Sequence, residues 1–149
     1  MNVPTTATLA DLYLSDEIAW YDAMLELVRE RRAAEFDYDN LAEVLTDMGT
    51  RERRGAERRL ATLIQHRLKI DFQPEKLTRS WRVTVERGRQ ELVSILASRT
   101  LWNHAVADWP AIYQRAVRLA ALETGLPRSA FPYPWPSCWR SRRSSFDGG

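Results

Sequence analysis

The chain has 149 residues, 44% hydrophobic and 28% charged, which suits one soluble globular domain and excludes wholesale disorder. No run approaches ~20 apolar residues, so a membrane-spanning helix is not expected, and Met1 to Leu14 lacks the basic start and apolar run of a secretory leader. The formal charge of +2 conceals an imbalance: Met1 to Asp47 carries three basic and eleven acidic residues, net −8, and the remainder is net +10.

In chain order, Ser15 reads as the cap of a first long helix, with Asp16 and Glu17 in its opening turn and Arg29, Arg31 and Arg32 in its last. Leu14, Ile18, Tyr21, Leu25 and Val28 recur at three- and four-residue spacing and predict its buried stripe. Trp20 and Leu27 fall off that stripe, as expected of a helix touching neighbours on two sides. Asp39 opens a short helix through Leu41, Val44, Leu45 and Met48, with Gly49 as its C-terminal stop. Thr50 then restarts the chain as the cap of a long helix to about Ile70, whose apolar arc is Ala56, Leu60, Leu63, Ile64 and Leu68. Pro74 breaks it. A fourth helix is predicted from about Thr78 to Ser98 on Trp81, Val85, Leu92, Ile95 and Leu96, with Gly88 inside that face as a point of close helix approach. A fifth runs from about Asp108 to Glu123, with Pro110 in its first turn and Gly125 as its stop.

Beyond Gly125, Phe131-Pro132-Tyr133-Pro134-Trp135-Pro136 cannot be helical, and reads as an aromatic-proline strap over the bundle or as a ligand for a proline-binding module. Arg140 to Gly149 reads as a basic tail. No segment has strand periodicity. The expected fold is all-α: an antiparallel bundle of about five helices over residues 1–132, with a proline/aromatic and basic tail over 133–149.

Several chemistries lack their residues. There is no Gly-rich phosphate loop, no Gly-x-Ser-x-Gly and no His-Glu-x-x-His. Asp37-Tyr38-Asp39-Asn40 begins like a calcium loop, but Ala42 and Met48 stand where the turn glycine and bidentate glutamate belong. The lone Cys138 excludes an internal disulfide, and His66, His104 and Cys138 are too scattered for a zinc spacing. No metal or cofactor is expected.

Three polar groupings stand out. The first is His66 with Lys69, Gln73, Glu75, Arg79 and Arg82 around the turn at Pro74, with Glu43 within reach from the short helix. A histidine beside a glutamate suits general acid–base chemistry, because the carboxylate tunes the imidazole. The plainer account is that His66 and Glu43 pair with arginines to lock helix packing. The second is Arg67, which falls near the middle of the apolar arc and calls either for a buried carboxylate partner or for a face open to a partner. The third is a basic stripe, Arg51, Arg54, Arg58 and Lys69, which with the expected turn at Gly49 is similar to a helix-turn-helix entering a groove. A solvated arginine face is the blander account.

The segment Asp39-Asn40-Leu41-Ala42-Glu43-Val44-Leu45-Thr46-Asp47-Met48-Gly49 resembles the signature of the bacterial domain of unknown function 29 family. The resemblance continues through His66-Arg67-Leu68-Lys69, Gln73-Pro74-Glu75 and Ser80-Trp81-Arg82 to Glu123-Thr124-Gly125-Leu126-Pro127 and Phe131-Pro132. It implies an all-helical bacterial cytoplasmic protein and no assigned activity. Arg67 and Ile70 depart from the family pattern, as does Tyr133-Pro134-Trp135-Pro136, which replaces a turn into a further helix. On these readings the chain is a structural or protein-interaction module, associating with a protein partner or with itself. The alternatives are a nucleic-acid-binding module using Arg51, Arg54 and Arg58, or an enzyme centred on His66 and Glu43.

Overall fold

Thr8 opens the first helix with a reciprocal cap: its hydroxyl accepts from the backbone N–H of Asp11, and the Asp11 carboxylate accepts from the backbone N–H of Thr8. These are the first residues of the computed structural model, which describes residues 8–131. All regular structure among them is helical: α1 (Leu9–Ser15), α2 (Glu17–Arg29), α3 (Tyr38–Phe72), α4 (Arg79–Ile95), α5 (Arg99–Ala107) and α6 (Trp109–Thr124), with short 3₁₀ turns between. No helix among them is long and apolar enough to cross a membrane. The chain divides into two compact units, Met1–Arg51 and Glu52–Gly149, with the boundary inside α3.

Among the described residues six helices replace the expected five, and each difference has a local cause. Asp16, not Ser15, caps α2: its carboxylate accepts from the Ala19 N–H, while the Ser15 hydroxyl donates back to the Asp11 carbonyl. Thus α1 is a separate helix. Arg29 lies in the last turn of α2 as expected, but Arg31 and Arg32 lie beyond it, where Arg31 turns the chain with a left-handed φ of 59°. Gly49 does not stop a helix, and Thr50 does not start one. A glycine costs an interior helical position only about 1 kcal/mol, little for a helix already propagating into Arg51-Glu52-Arg53-Arg54. Asp37 opens this helix by accepting from the Asn40 backbone N–H at 3.4 Å and side-chain amide at 2.6 Å. The turn required by a helix-turn-helix is therefore missing. The unexpected α5 is capped by the Ser98 hydroxyl, which accepts from the Leu101 N–H.

The remaining stops fall where expected. Pro74 follows the end of α3, Thr78 caps α4 through the Trp81 N–H, Pro110 lies in the first turn of α6, and Gly125 ends it at φ 72°.

In the first unit α2 buries Trp20 and Met24, with Leu27 half-buried on the same side. Tyr13 of α1 meets the Trp20 ring edge-on at 5.1 Å, and the indole N–H donates to Asp37 at 3.0 Å. In the second unit Leu60, Ala61, Ile64 and Leu68 of α3, Leu92 of α4 and Ala105 of α5 join Ile112, Tyr113, Ala116, Val117 and Ala120 of α6. Phe131 completes this core and packs edge-on to Phe72 at 5.1 Å. Ala116 and Ala120 are fully buried, so α6 approaches its neighbours without intervening side-chain bulk. Of the aromatic-proline strap only Phe131 is described; Pro132 to Pro136 and the basic tail lie outside the described residues.

Candidate functional site

The apolar stripe expected to form the core of the first helix faces outward. Ile18 is 67% exposed, Leu25 45% and Val28 51%, with Tyr21 also exposed and Leu14 of α1 more so. The two residues that fell off the stripe, Trp20 and Leu27, belong to the side α2 actually buries. Period alone describes two apolar faces on this helix, and Tyr13 of α1 and Asp37 engage the Trp20 side. Ile18, Tyr21, Leu25 and Val28 alternate three- and four-residue steps, the spacing of a helix seam that packs against another helix. Glu17 and Asp22 flank the seam, and Arg29 at its end is engaged by Glu26 at 3.8 Å. Tyr21 donates its hydroxyl to Glu17, and that bond, with burial and the Glu17 charge, raises its pKa.

The basic stripe loses one member. Lys69 is buried, paired with Glu123 of α6, and its ammonium lies 4.2 Å from the centroid of the Trp81 ring. Gln65, one turn earlier, donates to the other Glu123 oxygen at 2.6 Å, and Gln73 donates to the Thr124 carbonyl at 3.0 Å. The buried face of α3 thus rotates toward Gln65 and Lys69 at its end, carrying Arg67 out of the apolar arc. Arg67 is exposed and pairs with Asp71 at 3.0 Å, so the expected carboxylate partner is present but the pair is not buried. Arg51, Arg54 and Arg58 stay exposed, with no ion pair among the described residues.

His66 is half-buried and donates from Nδ1 to the Thr62 carbonyl of its own helix at 2.9 Å. It lines a groove of about 250 Å³ between α3 and α4, together with Arg58, Arg59, Thr62, Arg87 and Glu91. The structure does not gather the rest of its expected cluster. Glu43 lies in the first unit, early in the unbroken α3. Glu75, in the turn after Pro74, and Arg79 and Arg82 of α4 are exposed, and no hydrogen bond or ion pair joins them to His66.

A grouping that the sequence concealed forms around the other histidine. His104 of α5 places Nε2 at 2.6 Å from Oε1 of Glu57 of α3 and 3.4 Å from Oδ2 of Asp108. His104 and Asp108 are four residues apart, a spacing visible in the sequence, but Glu57 reaches them only through tertiary packing.

The model of the family described as Domain of unknown function DUF29 matches residues 12–142. The chain belongs to the DUF29 family. The match covers nearly all of the described helices of this DUF29 chain and agrees with the signature beginning at Asp39. No curated protein and no solved structure matches the chain.

Proposed function

We propose that this DUF29 chain is a protein-interaction module of the bacterial cytoplasm, and that α2 is its docking helix. One observation carries the reading: Ile18, Tyr21, Leu25 and Val28 form an exposed apolar seam on a helix whose Trp20 and Met24 face is already buried. The seam runs about 15 Å along the helix axis, long enough to seat two to three turns of a partner helix. The occupant is a basic amphipathic helix of another protein. Glu17 and Asp22 border the seam, and the surrounding segment to Asp47 is net −8. A second copy laid seam to seam would set these carboxylates against one another, whereas lysines or arginines beside a partner's apolar stripe would be met by them. The same proposal holds that the helices of the second unit form an antiparallel bundle.

The test uses two synthetic helical peptides with leucine at the seam positions, one flanked by lysines and the other by glutamates. The full chain should bind the lysine peptide at least tenfold more tightly, and Ile18→Asn with Leu25→Asn, which leaves the charge unchanged, should abolish that binding. Equal binding of both peptides, or binding that survives the double substitution, overturns the reading. So does concentration-dependent dimerisation that the double substitution removes, which would assign the seam to a second copy.

A second reading, a nucleic-acid-binding module, is favoured by the exposure of Arg51, Arg54 and Arg58 without carboxylate partners among the described residues. Eleven carboxylates up to Asp47 weigh against it, because they repel a polyanion.

A further inference from the structure

Asp108 stands at the N-terminal cap of α6, where an aspartate ordinarily accepts from a first-turn N–H. Here the side chain makes no such bond. Its Oδ2 lies instead 3.4 Å from His104 Nε2, one turn back, and Glu57 approaches the same nitrogen from α3 at 2.6 Å. The three donor atoms, Nε2, a Glu57 oxygen and an Asp108 oxygen, all lie within 4.8 Å of one another. The Glu57 and His104 side chains are about three-quarters buried, while Asp108 is half-exposed and leaves one side open to solvent.

We propose that Glu57, His104 and Asp108 bind one divalent first-row transition-metal ion, with Zn²⁺ the best fit. Two carboxylates and one imidazole, with no thiolate, match the ligand preference of Zn²⁺, Fe²⁺ or Mn²⁺ rather than a soft monovalent ion or calcium, which takes six or more oxygens. Bonds of about 2.0–2.2 Å to a tetrahedral or octahedral ion place neighbouring donors roughly 3–3.5 Å apart. The 3.4 Å separation lies within that range and the 2.6 Å one is shorter. Seating an ion requires the two carboxylates to shift on flexible side chains without backbone rearrangement. The Nε2 proton leaves to solvent as the ion takes its lone pair. Two carboxylate charges balance the divalent charge, and the solvent-exposed side leaves room for water to complete the coordination shell.

The full chain, stripped with a chelator and dialysed, is titrated with Zn²⁺ by calorimetry and separately with Co²⁺ by visible absorption. One ion per chain is expected, with a Co²⁺ spectrum carrying nitrogen and oxygen ligation. His104→Gln and Asp108→Asn should each weaken Zn²⁺ binding at least tenfold, and His66→Gln should leave it unchanged. Asp108→Asn, at a half-exposed helix junction without a cap bond, decides the matter if His104→Gln fails to fold. No stoichiometric uptake, or uptake unaffected by Asp108→Asn, overturns the site.

Discussion

Lys69 and Glu123 form an ion pair between the ends of α3 and α6 in which the ammonium is buried and the carboxylate is half-exposed. The asymmetry sets what each substitution does. Removing the carboxylate strands a charge away from water, whereas removing the ammonium leaves Glu123 solvated and still bonded to Gln65. Glu123→Ala should cost about 1–3 kcal/mol, below the full cost of breaking a buried pair because Glu123 is partly in water. Lys69→Met should stay within about 1 kcal/mol of the parent. Urea denaturation of both variants checks the inequality, and equal losses would contradict it.

Gly88 and Gly125 should respond oppositely to alanine. A Cβ at Gly88 would meet Leu63 Cδ1 at 3.5 Å, an ordinary contact, so the close helix approach expected from the sequence does not forbid a methyl group. Gly88→Ala should stabilise the chain by about 0.5–1 kcal/mol through helix propensity. Gly125 sits at φ 72°, and Gly125→Ala should destabilise by about 1 kcal/mol despite open space around it. Paired thermal melts provide the comparison.

Asp37 links pH to the stability of the first unit. The Asn40 side chain foremost, with the Trp20 indole and the Asn40 backbone N–H, holds its carboxyl below the ordinary range against the opposing effect of burial. A depressed folded pKa means the stabilisation is fully present above the unfolded value of about 3.9 and is lost as pH falls through the folded value. The Trp20 indole proton, followed by NMR, should titrate below pH 4. A midpoint above 4 would contradict the assignment.

The two faces of α2 should separate cleanly under mutation. Met24→Ala opens a cavity in the first unit and should cost about 2–3 kcal/mol. Leu25→Asn, on the exposed seam, should change stability by no more than about 0.5 kcal/mol. A large loss at Leu25 would mean that the seam is covered within the chain itself.

For the arginine stripe, mobility shifts against mixed DNA and RNA pools should reveal nothing tighter than the ~10⁻⁴–10⁻⁶ M non-specific range at physiological salt. Submicromolar binding that falls steeply with salt and vanishes in the triple Arg51/Arg54/Arg58→Ala variant would promote the nucleic-acid reading over the docking helix.

What the sequence determined by itself is local. Thr78, Pro110 and Gly125 mark helix ends in the sequence because each acts through its own hydroxyl, missing N–H or permitted φ. The arc Ala56, Leu60, Ile64 and Leu68 is buried as its spacing requires, since that stretch of α3 has only one continuous apolar face. The DUF29 signature residues were legible too, since they are contiguous blocks of sequence. Tertiary structure decided the rest. Gly49 lies within a helix because its small intrinsic penalty competes with a long propagating segment. The face α2 buries was ambiguous because two apolar stripes share one helix, and it is Tyr13 of α1 and the distant Asp37 that engage the Trp20 side. Lys69 leaves the surface because Trp81 and Glu123, on two other helices, offer its ammonium a ring and a carboxylate. Glu57 meets His104 across 47 positions, a proximity set by how α3 and α5 pack and invisible to any spacing rule.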